Sequence, residues 1–90
     1  MLDTLEILFK LARDRKKNPA EGSYTNKLLS DKSLIKEKVL EEINELIESV
    51  EKNTNKIHES ADVLYHLLVY LEANGIKIED VMEELKKRKK

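Results

Sequence analysis

Only three residues in this 90-residue chain interrupt a helix outright: Pro19, Gly22 and Gly75. Two of them stand together near the start and the third near the end, so long unbroken stretches lie between. Few aromatics and 39% charged residues, in a chain rich in Leu, Ile, Glu and Lys, make those stretches helical rather than extended. The expected fold is all-α, a four- to five-helix bundle-like protomer, with residues 1–90 forming a single domain.

Apolar spacing draws the individual helices. Leu5, Leu8, Phe9 and Ala12 recur at helical intervals and predict a first helix over 2–16. Residues 18–23 make a loop, and Ser23 is placed to cap a short helix over 24–30. Ser33 is the expected cap of a third helix over 34–52, with Ile35, Val39, Ile43, Leu46, Ile47 and Val50 on one face. A polar Asn53-Thr54-Asn55 turn leads to a fourth helix over 56–74, and Gly75 suits a left-handed C-terminal cap. A last helix over 78–87 is expected to turn Val81, Met82 and Leu85 inward.

A chain of this size buries only about 60–65% of its unfolded surface. It has no cysteine and no Cys/His cluster of structural-zinc type, so neither a disulfide nor zinc can staple it. Regular helix packing, or a second copy making a homodimeric bundle, must supply the remainder. Seventeen basic residues against eighteen acidic ones lack the basic excess of a nucleic-acid binder. No stretch approaches the length of an uncharged membrane span, and the N-terminus lacks a signal-peptide layout. The expectation is a cytoplasmic protein with neither nucleic-acid nor membrane partner.

The acidic residues carry the chemistry. On the third helix Lys38, Glu42, Glu45 and Ser49 form a row along the edge of the apolar stripe, and Glu41 stacks four before Glu45. The fourth helix has a main apolar face of Ile57, Ala61, Leu64, Leu68 and Leu71, yet Val63, Val69 and Tyr70 occupy its other side. Between residues 60 and 71 the strongly polar breaks are Asp62 and His66, which with Glu59 form a narrow strip. A helix apolar nearly all round is expected to be buried on several sides, and a carboxylate there is costly unless paired or holding a cation. Glu42 with Glu45, and Glu59 with Asp62, are thus two carboxylate pairs at i, i+3 on consecutive helices. An all-oxygen set of this kind suits magnesium, or manganese, which fill their shells with water and phosphate oxygens. The same spacing also describes a solvated acidic face, and Glu59 could serve the helix macrodipole. Spacing alone leaves both readings open.

Three ordered motifs then resemble one family. Asn18-Pro19-Ala20-Glu21-Gly22-Ser23-Tyr24-Thr25 with Lys27-Leu28-Leu29, Lys38-Val39-Leu40-Glu41-Glu42 with Glu45, and Glu59-Ser60-Ala61-Asp62-Val63-Leu64-Tyr65-His66-Leu67-Leu68-Val69 are similar to the signatures of phosphoribosyl-ATP pyrophosphohydrolases. Asn74-Gly75-Ile76 to Leu85 fits that family's ending. The resemblance covers almost the whole chain and places it in the all-α nucleoside triphosphate pyrophosphatase group. It implies hydrolysis of phosphoribosyl-ATP, a small nucleotide substrate, to phosphoribosyl-AMP and pyrophosphate, the second step of histidine biosynthesis. It also implies a homodimer and a functional link to phosphoribosyl-AMP cyclohydrolase, the enzyme of the next step, to which this domain is often fused; here the domain is read as standing alone.

Carried onto this sequence, the resemblance makes Glu42, Glu45, Glu59 and Asp62 the metal ligands, with Glu41 a further ligand or the residue orienting the attacking water. Lys38 would meet a phosphate or balance the acids. Ser23, Tyr24 and Thr25 would belong to a substrate loop, with Arg13, Arg15 and Lys27 as further phosphate contacts. Tyr65 and His66 are read as packing or supporting groups. Leu40 and Ile43 depart from the family, which has a glycine and a small residue there. Two rival readings use the same acids: a house-cleaning pyrophosphohydrolase of other nucleoside triphosphates, and a non-catalytic dimeric helical module.

Overall fold

The computed structural model describes residues 1–89, which hold five helices and no strand. They are α1 (Asp3–Lys17), α2 (Tyr24–Ser30), α3 (Lys32–Lys52), α4 (Lys56–Ala73) and α5 (Ile78–Arg88). The helix boundaries lie close to those the apolar spacing predicts, and the differences have local causes. Asp31, not Ser33, caps α3: its Oδ1 accepts the Leu34 N–H at 3.0 Å. The same residue closes α2, so the two helices abut with one residue between them. Ser23 caps α2 as expected, accepting the Asn26 N–H at 3.3 Å.

Two left-handed asparagines, Asn53 (φ 56°) and Asn55 (φ 37°), reverse the chain between α3 and α4. Asparagine tolerates this region better than most residues because its short side chain can bond locally. Gly75 (φ 69°) ends the α4 segment, and the Ile76 N–H returns to the Leu71 carbonyl at 2.9 Å. That long-reach bond is the signature of a Schellman cap.

The tight turn lays α3 antiparallel to α4, and this pair is the most extensive packing in the protomer. Helix α1 packs on α4, α2 wedges among α1, α3 and α4, and α5 touches α4 only lightly. The buried apolar core is small: Ala12, Leu28, Ile35, Val69 and Ala73, ringed by Leu29, Leu34, Val39, Tyr65 and Tyr70.

On both long helices the polar strip is turned toward the protomer interior, and part of the apolar stripe is left facing outward. On α4 the inward line is Asp62, His66, Val69 and Ala73, while Ile57 is 88% and Leu64 47% exposed. On α3 Ile35, Glu42 and Ser49 are buried, whereas Ile43, Ile47 and Val50 face outward. The polar strips meet inside the protomer, while Ile43, Ile47, Val50, Ile57 and Leu64 of the apolar stripes stay exposed. Leu40 and Ile43, the departures from the family pattern, lie on that outer face and do not intrude on the α3–α4 contact.

Helix α5 also departs from expectation. Val81 is half-buried, but Met82 and Leu85 are exposed, because α5 meets the rest of the protomer only near its start. A fork of hydrogen bonds holds that start, from Arg13 Nη1 and Nη2 to the two oxygens of Glu79 at 2.8 and 2.7 Å. Lys16 adds a bond to the Glu72 carbonyl at 2.8 Å.

Leu28→Ala and Ile35→Ala should each lower stability by about 2–5 kcal/mol, because both side chains are fully buried; urea unfolding measures this. The Arg13 guanidinium holds the Glu79 carboxyl at about 2, below its ordinary 4.5. An acid lowered on folding stabilises above its ordinary value and loses that contribution as pH falls through the lowered one. Amide exchange of α5, corrected for intrinsic pH dependence, should therefore lose protection between pH 4.5 and 2, and Arg13→Gln should remove this step.

Candidate metal centre

Register across the turn decides which acids meet. Counted from Thr54, Ser49 and Glu59 are five residues away on either side, Glu45 and Asp62 nine and eight, and Glu42 and His66 twelve each. Antiparallel helices of equal rise bring such pairs to the same level. Glu42, Glu45, Glu59 and Asp62 accordingly converge across the α3–α4 seam. One ligand atom from each of Glu41, Glu42 and Glu45 lies within 4.8 Å of the others, and the same holds for His58, Glu59 and Asp62.

Burial separates this cluster from a solvated acidic face. Glu42 is only 7% exposed, and Glu59 and Asp62 are half-buried. Among the described residues, Glu42 Oε2 and Glu59 Oε2 are buried without a hydrogen-bond partner. A buried carboxylate oxygen left unmatched is destabilising, and two on facing helices aim into one seam. Burial, followed by the charges of Glu45 and Asp62, pushes the Glu42 carboxyl up. Burial also raises Glu59, followed by the neighbouring Glu45 carboxylate, so Glu45 acts on an acid of each helix. Four crowded carboxylates, two of them with buried oxygens that lack a hydrogen-bond partner, fit a hard divalent ion. Glu41 adjoins Glu42 and Glu45 but is exposed and paired with Lys38 at 3.4 Å.

The loop before α2 is tied to the same stretch of α4. His66 Nδ1 lies 2.7 Å from the Asp62 carbonyl, so that nitrogen carries the proton. Its Nε2, 3.0 Å from Tyr24 Oη, therefore accepts the phenol's hydrogen. Thr25 bonds the Tyr65 hydroxyl, and the Tyr24 and Tyr65 rings stack with centroids 6.2 Å apart. The first two residues of α2 are thus pinned one turn beyond Asp62. Burial raises the Tyr24 phenol while the nearby Lys38 charge lowers it, which puts Tyr24 beside the acidic seam.

Other candidates lie elsewhere. Lys27, Ser23 and Tyr24 line an open cleft of about 920 Å³ that no carboxylate of the seam enters. Arg13 is committed to Glu79 and Glu72; Glu72 is ten residues beyond Asp62, about 15 Å along the helix. The Arg15 guanidinium sits 3.8 Å from Asp14. Two contributors are invisible in the motifs. Asn26 fastens the loop, accepting from the Ala20 N–H at 2.8 Å and donating to the Arg15 carbonyl at 2.7 Å. His58 Nε2 lies 3.3 Å from Asp62 Oδ2, and its i, i+4 spacing to Asp62 was the available signal.

Comparison with known proteins shows the family of the chain. The family model described as phosphoribosyl-ATP pyrophosphohydrolase matches residues 5–89. A phosphoribosyl-ATP pyrophosphatase of Streptococcus thermophilus is 51% identical over 93% of this chain and 84% of its own length. One from Methanococcoides burtonii is 43% identical over 98% of this chain and 94% of its own. The histidine biosynthesis bifunctional protein HisIE of Pyrococcus furiosus is 43% identical over 99% of this chain, which spans 43% of that longer protein.

An acid raised on folding destabilises the native state as pH climbs from its ordinary value through the raised one. The protein stripped with EDTA should therefore lose thermal stability above about pH 4.5, the ordinary value for Glu42 and Glu59. Glu42→Gln should raise the melting temperature in EDTA at pH 7 and flatten this dependence. Tyr24→Phe should lower stability by about 1 kcal/mol and shift the His66 Nε2 resonance in nitrogen NMR.

Proposed function

The chain belongs to the phosphoribosyl-ATP pyrophosphohydrolase family, and from that membership we infer the reaction it performs. It hydrolyses phosphoribosyl-ATP between the α and β phosphates, releasing pyrophosphate and phosphoribosyl-AMP, the second step of histidine biosynthesis. The site reading rests on one observation: a buried, unpartnered Glu42 oxygen on α3 beside the carboxylates of Glu45 and Asp62.

In this reading Glu42, Glu45, Glu59 and Asp62 hold magnesium, with manganese able to replace it. The bound ion would neutralise phosphate oxygens and activate the attacking water. Glu45 contributes from the centre, being the acid near both others. Glu41, on the outer side with Lys38, orients water, while Lys38 is released from Glu41 to meet a phosphate. Ser23, Tyr24 and Thr25 shape the substrate side, and Tyr24 is held for that task by His66. Lys27 reaches the same cleft, whereas Arg13 and Arg15 serve as phosphate contacts only if the substrate extends beyond the seam.

The outward apolar face of α3 and α4 supports a homodimer. Ile47, Leu64 and Ile57, with Leu40 and Ile43, present a continuous patch to solvent in the protomer, and a second copy laid on it would bury this surface. The bifunctional relatives support a link to phosphoribosyl-AMP cyclohydrolase, which consumes the product. No helix among the described residues is long and apolar enough to cross a membrane.

Glu42→Gln and Asp62→Asn should fold normally and lose pyrophosphate release by about a hundredfold or more. Near-normal turnover of either variant with magnesium would sink the ligand assignment. A panel of phosphoribosyl-ATP, ATP and dUTP should show turnover of the first far above the others; comparable rates would favour a broad triphosphate pyrophosphohydrolase. Ile47→Glu should convert a dimer to monomer in sedimentation, and a wild-type chain already monomeric would exclude the homodimer.

A further inference from the structure

We propose that His58 is a nitrogen ligand of the metal centre and tilts it toward borderline transition-metal ions relative to magnesium. This rests on the carboxylate-held cation of the preceding section.

His58 lies in the first turn of α4, one residue before Glu59 and four before Asp62. Its Nε2 is 3.3 Å from Asp62 Oδ2, and ligand atoms of His58, Glu59 and Asp62 all lie within 4.8 Å of one another. Ligands about 2.1 Å from a common ion stand at most about 4.2 Å apart, so a small side-chain rotation brings all three onto one ion. The Glu59 oxygen without a partner gives that ion a reason to sit there. An exposed i, i+4 pair would by itself be weak. What distinguishes this pair is its continuity with the buried seam, because Asp62 also acts on Glu42.

Donor chemistry gives the consequence. Magnesium favours oxygen and takes imidazole poorly, whereas cobalt, zinc and, more weakly, manganese accept it. A set of Glu59, Asp62 and His58 is therefore mixed, where the motifs alone describe an all-oxygen site. The chain has two histidines. The other, His66, is buried with both ring nitrogens engaged by Tyr24 and the Asp62 carbonyl. Any imidazole nitrogen on a bound ion is thus assignable to His58.

The test is metal binding to the full chain without substrate. Pulsed EPR of the Mn²⁺-loaded protein should show imidazole nitrogen coupling that disappears in His58→Ala. Calorimetric titration with Co²⁺ and with Mg²⁺ should show cobalt affinity falling about tenfold in His58→Ala, with magnesium affinity changed less than twofold. His58→Gln, which keeps bulk and polarity, should behave like the alanine variant. Metal binding with no nitrogen coupling and an unchanged cobalt-to-magnesium ratio would overturn the role of His58 and leave the carboxylate site standing. A wild-type chain that binds none of the three ions would overturn both.

Discussion

A carboxylate held out of water against another carboxylate is the constraint around which this small protein is arranged. Glu42 and Glu59 bury oxygens that no group among the described residues satisfies, and Glu45 and Asp62 crowd the same seam. Such a contact is repulsive unless a proton or a cation stands between the charges. The hairpin can hold it because the rest of the α3–α4 packing, together with Leu28, Ile35 and Val69, keeps the helices together. In the proposed reading, the repulsion that destabilises the seam is also what would draw a divalent ion to it.

That arrangement explains why both long helices present their apolar stripes outward. A helix has one circumference, and the side facing its hairpin partner is used by the acids, His66 and a few core residues. The remaining apolar residues, among them Ile47, Ile57 and Leu64, form a second face. In a chain this short, the protomer core is correspondingly thin, and α5 is held chiefly by the Arg13–Glu79 fork. The side chains given to the seam are ones the protomer cannot use for its own core.

The loop is joined to the centre by neutral chemistry. His66 must protonate Nδ1 to reach the Asp62 carbonyl, which leaves Nε2 to receive Tyr24. One imidazole thereby joins the backbone of a proposed ligand residue to the Tyr24 side chain at the start of α2. Asn26 completes the join from the other end, fastening Ala20 and the end of α1. A shift of α4 would be felt by the loop through these bonds.

Much of this was legible in the residues themselves. Helical periodicity, Pro19, the two glycines and the Asn53–Asn55 turn determined five helices and nearly all their limits, because these are local properties of the backbone. The i, i+3 pairs Glu42/Glu45 and Glu59/Asp62 were equally legible, and an acid among apolar neighbours marked Asp62 as the unusual one. Tertiary structure decided which face of each helix turns inward. The two apolar sides of α4 did not by themselves say which one meets the protomer, since hydrophobicity says that a face must be covered and not by what. Pairings across the fold, such as Tyr24 with His66 or Arg13 with Glu79, join residues dozens of positions apart, and no local pattern encodes them. His58 sat in plain view at i, i+4 from Asp62, yet only the geometry of the seam gave its nitrogen a place beside the acids.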